Sequence, residues 1–440
     1  MDELRNMTYA QTLARLIRAE TVSVAGQRQP EKFERFHQLL RETFPKVFAA
    51  AEIEDFQGSL LLRWRGKDAA KQPILLMSHH DVVEAAGNWT HPPFSGMIGG
   101  GKVWGRGTLD TKCSLWAMLQ AAEELIGEGF VPDRDIYFES SCNEETSGEG
   151  AEAISAALEQ RGLRFFAVFD EGGMILTEPI GGVHGTFAMV GVGEKGTVDL
   201  KFTARANGGH ASTPGKNTPL VRLGKFMAAV ERSSLFETKL SPVVREMFAR
   251  MAPYTTGIMK LVFSNTGIFR ALLCKVMPMI SATAGAMLKT TVAFTMCQGS
   301  EGRNVLPQEA WVIGNMRYSH HQGREASIEA IRALAAKYGI ETEALDTGMA
   351  LSIADYRAEP FRLVERAVQE IFPGVVPAPY IMTGASDSRF FERVCDSCIR
   401  FAPFLISEKQ LDSIHGVDEN IDVSTLGTAV DFYKYIIREV

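Results

Sequence analysis

Cysteine is scarce, with six in 440 residues. That density excludes a disulfide-stapled scaffold and fits reduced thiols in a cytoplasmic setting. Cys395 and Cys398 form one CxxC, but no second pair at similar spacing exists to complete a zinc knuckle. Excess positive charge is also absent. Lysines and arginines number 46 against 53 aspartates and glutamates, a net of −7. With no basic arm, nothing draws the chain to nucleic acid. Long apolar runs are missing as well. The 13 uncharged residues from Val276 to Leu288, between Lys275 and Lys289, are too few to span a bilayer and read as an amphipathic or buried helix. The opening MDELRNMTYAQTLARLIRAE mixes charges throughout and lacks the apolar centre of a secretory leader. The expected compartment is therefore the cytoplasm.

What is present reads as an ordinary folded chain, 45 % apolar and 22 % charged. Its length exceeds what one core usually holds, so two domains are expected. Residues 9–48 read as helices. After them, apolar strands such as SLLLRWRG, PILLMSHH, DIYFESS and FAVFDEGG alternate with helical stretches such as CSLWAMLQAAEELIGEG and AEAISAALEQRG. This alternation predicts an α/β fold with a mostly parallel sheet flanked by helices. Near residue 190 the texture changes. EKGTVDLKFTARA alternates polar and apolar positions, 216–290 looks helical, and TTVAFTMCQG and EAWVIGNMRYS read as antiparallel strands. The expected organisation is a catalytic domain in two parts, 1–192 and 351–440, interrupted by an inserted α+β lid or dimerisation domain at 193–350.

The chemistry gathers at strand ends, where open α/β sheets bind ligands. ILLMSHHD runs an apolar strand into His79 and Asp81, two apart and so able to share a face. A carboxylate behind a ligating histidine fixes its tautomer. GKVWGRGTLDTK places Asp110 before a helix. YFESSCNEE ends with Glu144 and Glu145, whose mutual repulsion a cation relieves. FAVFDEGG ends with Asp170 and Glu171, and LDSIHGVDE supplies His415. Mixed histidine and carboxylate donors suit zinc, manganese or cobalt better than calcium. Five such ligands around one central carboxylate suit two metals.

These residues resemble the dinuclear zinc aminoacylase/carboxypeptidase family. HxD at 79–81, GRGTLDTK from Gly105, the acidic pair at 144–145, DEGG at 170–173 and the distal His415 carry the resemblance. EKGTVDL at 194–200, GGHAST at 208–213, NVLP at 304–307 and GASDSR at 384–389 extend it in order. The long helical stretch is similar to the Gly-Xaa carboxypeptidase and N-acyl-amino-acid hydrolase branch. The resemblance implies two zinc ions, with manganese or cobalt as substitutes. It implies that His79 and Asp170 hold one, Glu145 and His415 the other, and Asp110 bridges them. Asp81 then backs His79, Glu144 is the general base, and His80 is not a ligand. A cis peptide is implied at Asp110–Thr111. His210 is implied as an oxyanion donor that reaches a partner's site in dimeric relatives, so a homodimer is among the expected partners. Arg389 and Gly384 are implied to hold the substrate's carboxylate, with Asn304 as a further contact. GASDSR departs from the family's usual glycine–glycine–threonine start at Ala385 and Ser386. The implied reaction is hydrolysis of an amide or peptide bond next to a free carboxylate in a small peptide. An N-acyl amino acid is the alternative substrate, and a non-catalytic binding relative a remote third reading.

Overall fold

Successive residues of ILLM at 74–77 point to opposite faces of a strand, and both faces are covered in the computed structural model. Ile74 and Leu76 join one core with Leu13, Ile17, Trp116, Phe361 and Ile436. Leu75 and Met77 join another with Ile154, Leu158 and Phe391. A strand covered on both sides needs no polar alternation, which is why it reads as a continuous apolar run. The structure describes residues 2–27, 29–146, 148–346 and 352–440.

Eight strands form the main sheet, in the order Ala51–Phe56, Ser59–Trp64, Ile136–Ser141, Ile74–His79, Ala167–Thr177, Cys398–Ile406, Thr186–Glu194 and Val376–Met382. The central four run parallel. The strands outside them run the other way, except the edge strand Ala51–Phe56. Helices Asp2–Arg18, Lys112–Gly127, Glu359–Ile371 and Leu426–Glu439 supply one covering layer, and Glu149–Gln160 lies on the other side. The expected α/β class with a mostly parallel centre is what the chain forms. Buried Lys112 ties two of these helices together. Its ammonium donates to Leu16 O at 3.3 Å and Ala19 O at 2.7 Å, where it satisfies carbonyls at the end of the first helix.

A second sheet is antiparallel, in the order Thr291–Gln298, Glu309–Tyr318, Gly196–Arg205 and Ile340–Ala344. Helices Pro219–Arg232 and Arg324–Ala336 close its core around Phe202, Leu223, Phe226 and Ile331. The helices from Pro242 to Leu288 do not join this core. Val244, Met247, Phe248, Leu273 and Leu288 pack instead with Phe187, Met189 and Ala378, on the last two strands of the main sheet. The segment 193–350 therefore divides its packing between the two sheets. The expected boundary at 350–351 lies outside the described residues.

Phe226 is fully buried, 4.7 Å between ring centroids from Phe202. Phe226→Ala is expected to remove about 3–5 kcal/mol of stability, read as a lowered urea midpoint for the unit built on the second sheet.

Candidate metal centre

His79 ends its strand fully enclosed. Its Nδ1 lies 2.9 Å from the Asp81 carbonyl oxygen and 3.4 Å from Asp81 Oδ1. Those acceptors hold the proton on Nδ1 and leave the Nε2 lone pair facing outward. Nε2 is 3.0 Å from Asp110 Oδ1 and 3.3 Å from Glu171 Oε1. On the other side of Asp110, His415 Nε2 is 2.9 Å from Oδ2 and 3.1 Å from Glu145 Oε2. One carboxylate thus stands between two imidazoles. His415 occupies the left-handed region at φ 59°, uncommon for a side chain larger than glycine.

Two buried carboxylates hold this arrangement from behind. Asp81 accepts from the amides of Glu144 at 3.1 Å and Glu145 at 3.2 Å, and from Ser23 Oγ at 2.6 Å. It therefore orients His79 and the acidic pair together. Glu419 clamps the loop that carries Asp110. It accepts from the amides of Gly107 at 3.1 Å, Leu109 at 2.7 Å and Asp110 at 3.1 Å, and from Arg106 Nη1 at 2.6 Å. Gly105 enters this loop at φ 146°, and a Cβ there would sit 2.7 Å from Pro93 O, so only glycine fits. The Asp110–Thr111 peptide is cis.

Asp170 is buried in the same region, but its oxygens are engaged elsewhere. Oδ1 accepts from the Glu171 amide at 2.9 Å and Oδ2 from the Ser388 amide at 2.8 Å. Glu171 is the residue turned towards His79. The family resemblance points to Asp170, and nothing in the sequence singles out its neighbour Glu171. The register against Cys398–Ile406 slips between Asp170 and Gly173, so alternation no longer tells which acid faces the cleft. His80 points away, with Nδ1 2.8 Å from Ser140 Oγ and its ring stacked on Phe36.

The electrostatics follow from crowding. Burial pushes the Glu144 carboxyl well above the usual range, with Glu171 and Asp110 adding to it and His79 opposing. Burial likewise pushes Glu171 up to about 7. Hydrogen bonds to Asp110 and then Glu145 raise His415 to about 10. Burial would lower His79, but Glu171, Asp110 and Asp81 raise it well above the ordinary histidine value. Protons gather where negative charge is concentrated, and a divalent cation binds by displacing them. The donors fit such an ion. His79, Asp110 and Glu145 offer ligand atoms within 4.8 Å of one another, as do His79, Glu144 and Glu171. Glu145 Oε1 is buried with no hydrogen-bond partner among the described residues, so it has a lone pair to give.

The other expected residues make only local contacts among the described residues. Arg389 Nη1 donates to Ser386 O at 3.0 Å, and Gly384 is exposed at the start of the same loop. His210 pairs with Val305 on a short two-stranded ladder, and the neighbouring Ala211 amide donates to Asn304 O at 2.9 Å. Among the described residues, no recorded contact joins His210 to the metal donors. Its Nδ1 accepts from the Ser212 amide at 3.1 Å.

Histidines and carboxylates brought to one point beyond the parallel strands suit a divalent metal ion. Residues 75–439 match the peptidase family M20/M25/M40, and the chain belongs to that family. It is 31 % identical over 450 residues to a probable carboxypeptidase S-like 2 of Dictyostelium discoideum, covering 99 % of this chain and 85 % of that protein. It is 32 % identical over 413 residues to human N-fatty-acyl-amino acid synthase/hydrolase PM20D1, covering 92 % and 82 %. Its fold is similar to that of the M20 family metallo-carboxypeptidase Sso-CP2 of Sulfolobus solfataricus, with a TM-score of 0.72 at 14 % identity over 98 % of both chains. Human carnosine dipeptidase 1 is also similar, with a TM-score of 0.68 at 15 % identity over 99 % of this chain and 97 % of the other.

Asp81→Asn keeps the shape but weakens the group behind His79. Metal affinity is expected to fall about 10–100-fold, read by competition with a chromogenic chelator.

Proposed function

We propose that this chain is a dinuclear zinc hydrolase that cleaves an amide or peptide bond next to a free carboxylate, as a carboxypeptidase or dipeptidase does. Manganese or cobalt would suit the same donors. The observation that carries the reading is the Asp110 carboxylate, with one oxygen at His79 and the other at His415. We assign His79 and Glu171 to one ion, Glu145 and His415 to the other, and Asp110 to both. Asp170, the ligand expected from the resemblance, becomes the brace that fixes the Glu171 backbone. A second reading, hydrolysis of N-acyl amino acids, is favoured by the named activity of the human relative. The segments 1–192 and 351–440 would form the catalytic part and 193–350 the lid, with a homodimer as the assembled form. Six free cysteines support a cytoplasmic location. Among the described residues no helix is long and apolar enough to cross a membrane.

Bound metal ions would supply a water of lowered pKa and polarise the scissile carbonyl. Glu144 takes the proton of the attacking water and hands it to the departing nitrogen. Its carboxylate offers an oxygen within 4.8 Å of the ligand atoms of His79 and Glu171, where a general base has to stand. Arg389, with Gly384 leaving room beside it, holds the substrate carboxylate, and Asn304 adds a contact. His210 Nδ1 accepts from the Ser212 amide, which leaves Nε2 to donate to the oxyanion. It reaches the carbonyl by closure of the lid or from a partner subunit.

Glu144→Gln is expected to keep its metal and lose about 10²–10⁴-fold in turnover of a Gly-Xaa dipeptide or an N-acyl amino acid. The preferred substrate then selects between the two readings, while a fully active variant would end both. Metal analysis separates the two acids at 170–171. Glu171→Ala should lose one ion per chain and Asp170→Asn should retain both; the reverse pattern would restore Asp170 as ligand. His210→Ala is expected to lower kcat about 10²–10³-fold at unchanged metal content. Full activity in this variant would remove His210 from the reaction.

A further inference from the structure

The helical block packed on the edge of the main sheet has an unusual outer surface. Between Glu246 and Glu301 the chain carries five cations and no acid, although its net charge is −7. Helices Gly257–Ser264 and Arg270–Ile280, joined by a short turn, both bury side chains in one core, through Val262 and Phe263 and through Leu273 and Met277. Outside that core they leave large apolar groups in water. Ile258, Ile268 and Met279 are each 80 % exposed, Ile280 63 %, Leu261 56 % and Leu272 46 %. In the second helix Leu272, Lys275 and Met279 follow helical spacing on the side away from buried Leu273 and Met277. Exposed Lys260, Arg270 and Lys275 alternate with these groups along the two helices, and none has an ion-pair partner among the described residues.

Apolar side chains clustered on a monomer surface mark a place that another phase or molecule covers. The interspersed charge decides which. A second copy of this chain meeting face to face would set Lys260, Arg270 and Lys275 against their own counterparts, with no ion pair among the described residues to offset the repulsion. An anionic lipid surface meets both demands, since acyl chains take the apolar groups and headgroups pair with the cations. We propose that helices Gly257–Ser264 and Arg270–Ile280 form a peripheral docking surface for bilayers containing anionic phospholipid. The surface rests on the edge of the main sheet, so the body of the enzyme sits on the membrane without crossing it. This inference is independent of the hydrolytic reading, and its test reads no turnover.

The test is co-sedimentation of the full chain with vesicles of phosphatidylcholine alone or mixed with phosphatidylglycerol. Wild type is expected to pellet with the mixed vesicles at low salt and to be released at high salt. Each of Lys260→Gln, Arg270→Gln and Lys275→Gln should weaken binding about fivefold, the equivalent of ~1 kcal/mol per cation. Ile268→Ser combined with Met279→Ser should abolish it, with metal content and circular dichroism unchanged. Wild type remaining in the supernatant with both vesicles would overturn the proposal, as would binding indifferent to these substitutions. A concentration-dependent dimer that dissociates in the Ile268→Ser, Met279→Ser variant, without vesicle binding, would overturn it too and give the face to a second copy.

Discussion

Repulsion among buried carboxylates is the constraint on which the rest of the site depends. Asp81, Asp110, Glu144, Glu145, Asp170 and Glu171 converge on two histidines, where little water screens them. Left alone, such a group would protonate or splay apart. Three of its members face cations or imidazoles directly. Asp81 and Asp170 are held by backbone amides, which carry fixed positive ends and cannot move away. Asp81 takes the amides of Glu144 and Glu145, and Asp170 those of Glu171 and Ser388. Main-chain geometry thus supplies the compensation that side-chain cations supply elsewhere.

The same logic explains the buried pairs farther out. Arg106 and Glu419 are 1 % and 0 % exposed, and their ion pair is worth little by itself once both charges are desolvated. Its value lies in specificity, because Glu419 also accepts three amides of the loop that carries Asp110. Arg400 and Glu194 form a comparable pair at 3.3 Å, and Glu194 accepts from the Ser386 amide at 3.0 Å. That contact sets the loop bearing Gly384 and Arg389 against the last residue of the main-sheet strand Thr186–Glu194. The loop of Gly384 and Arg389 and the connection to the second sheet therefore share one buried ion pair.

Much of this was legible from the chain alone. Apolar runs ending in acids or histidines gave the central strands and the residues at their tips, because a strand covered on both faces leaves only its end for polar chemistry. What resisted reading was local. Asp170 and Glu171 are neighbours, and the bulge after them decides which faces His79. Nothing in FAVFDEGG announces that bulge except Gly172, which sits at φ 132°. The apolar helices between Pro242 and Leu288 read as helices, but not as partners of the main sheet. Pairing of distant surfaces leaves no periodic mark, and Phe187 and Ala378 look the same whichever helix covers them. Glu419 had no motif at all, since a carboxylate that binds amides needs no companion in sequence.

The span of the Glu419 clamp sets an order of events. Arg106 and Glu419 lie 313 residues apart, and His415 comes equally late. A nascent chain that has emerged to residue 400 already holds His79, Glu144, Glu145 and Glu171, but its Asp110 loop is unclamped. Such an intermediate exposes an incomplete cluster with its charges uncompensated. The cluster closes only when the segment around 415–419 returns to the first strands, so biosynthesis withholds the finished binding site until most of the scaffold around it has been made.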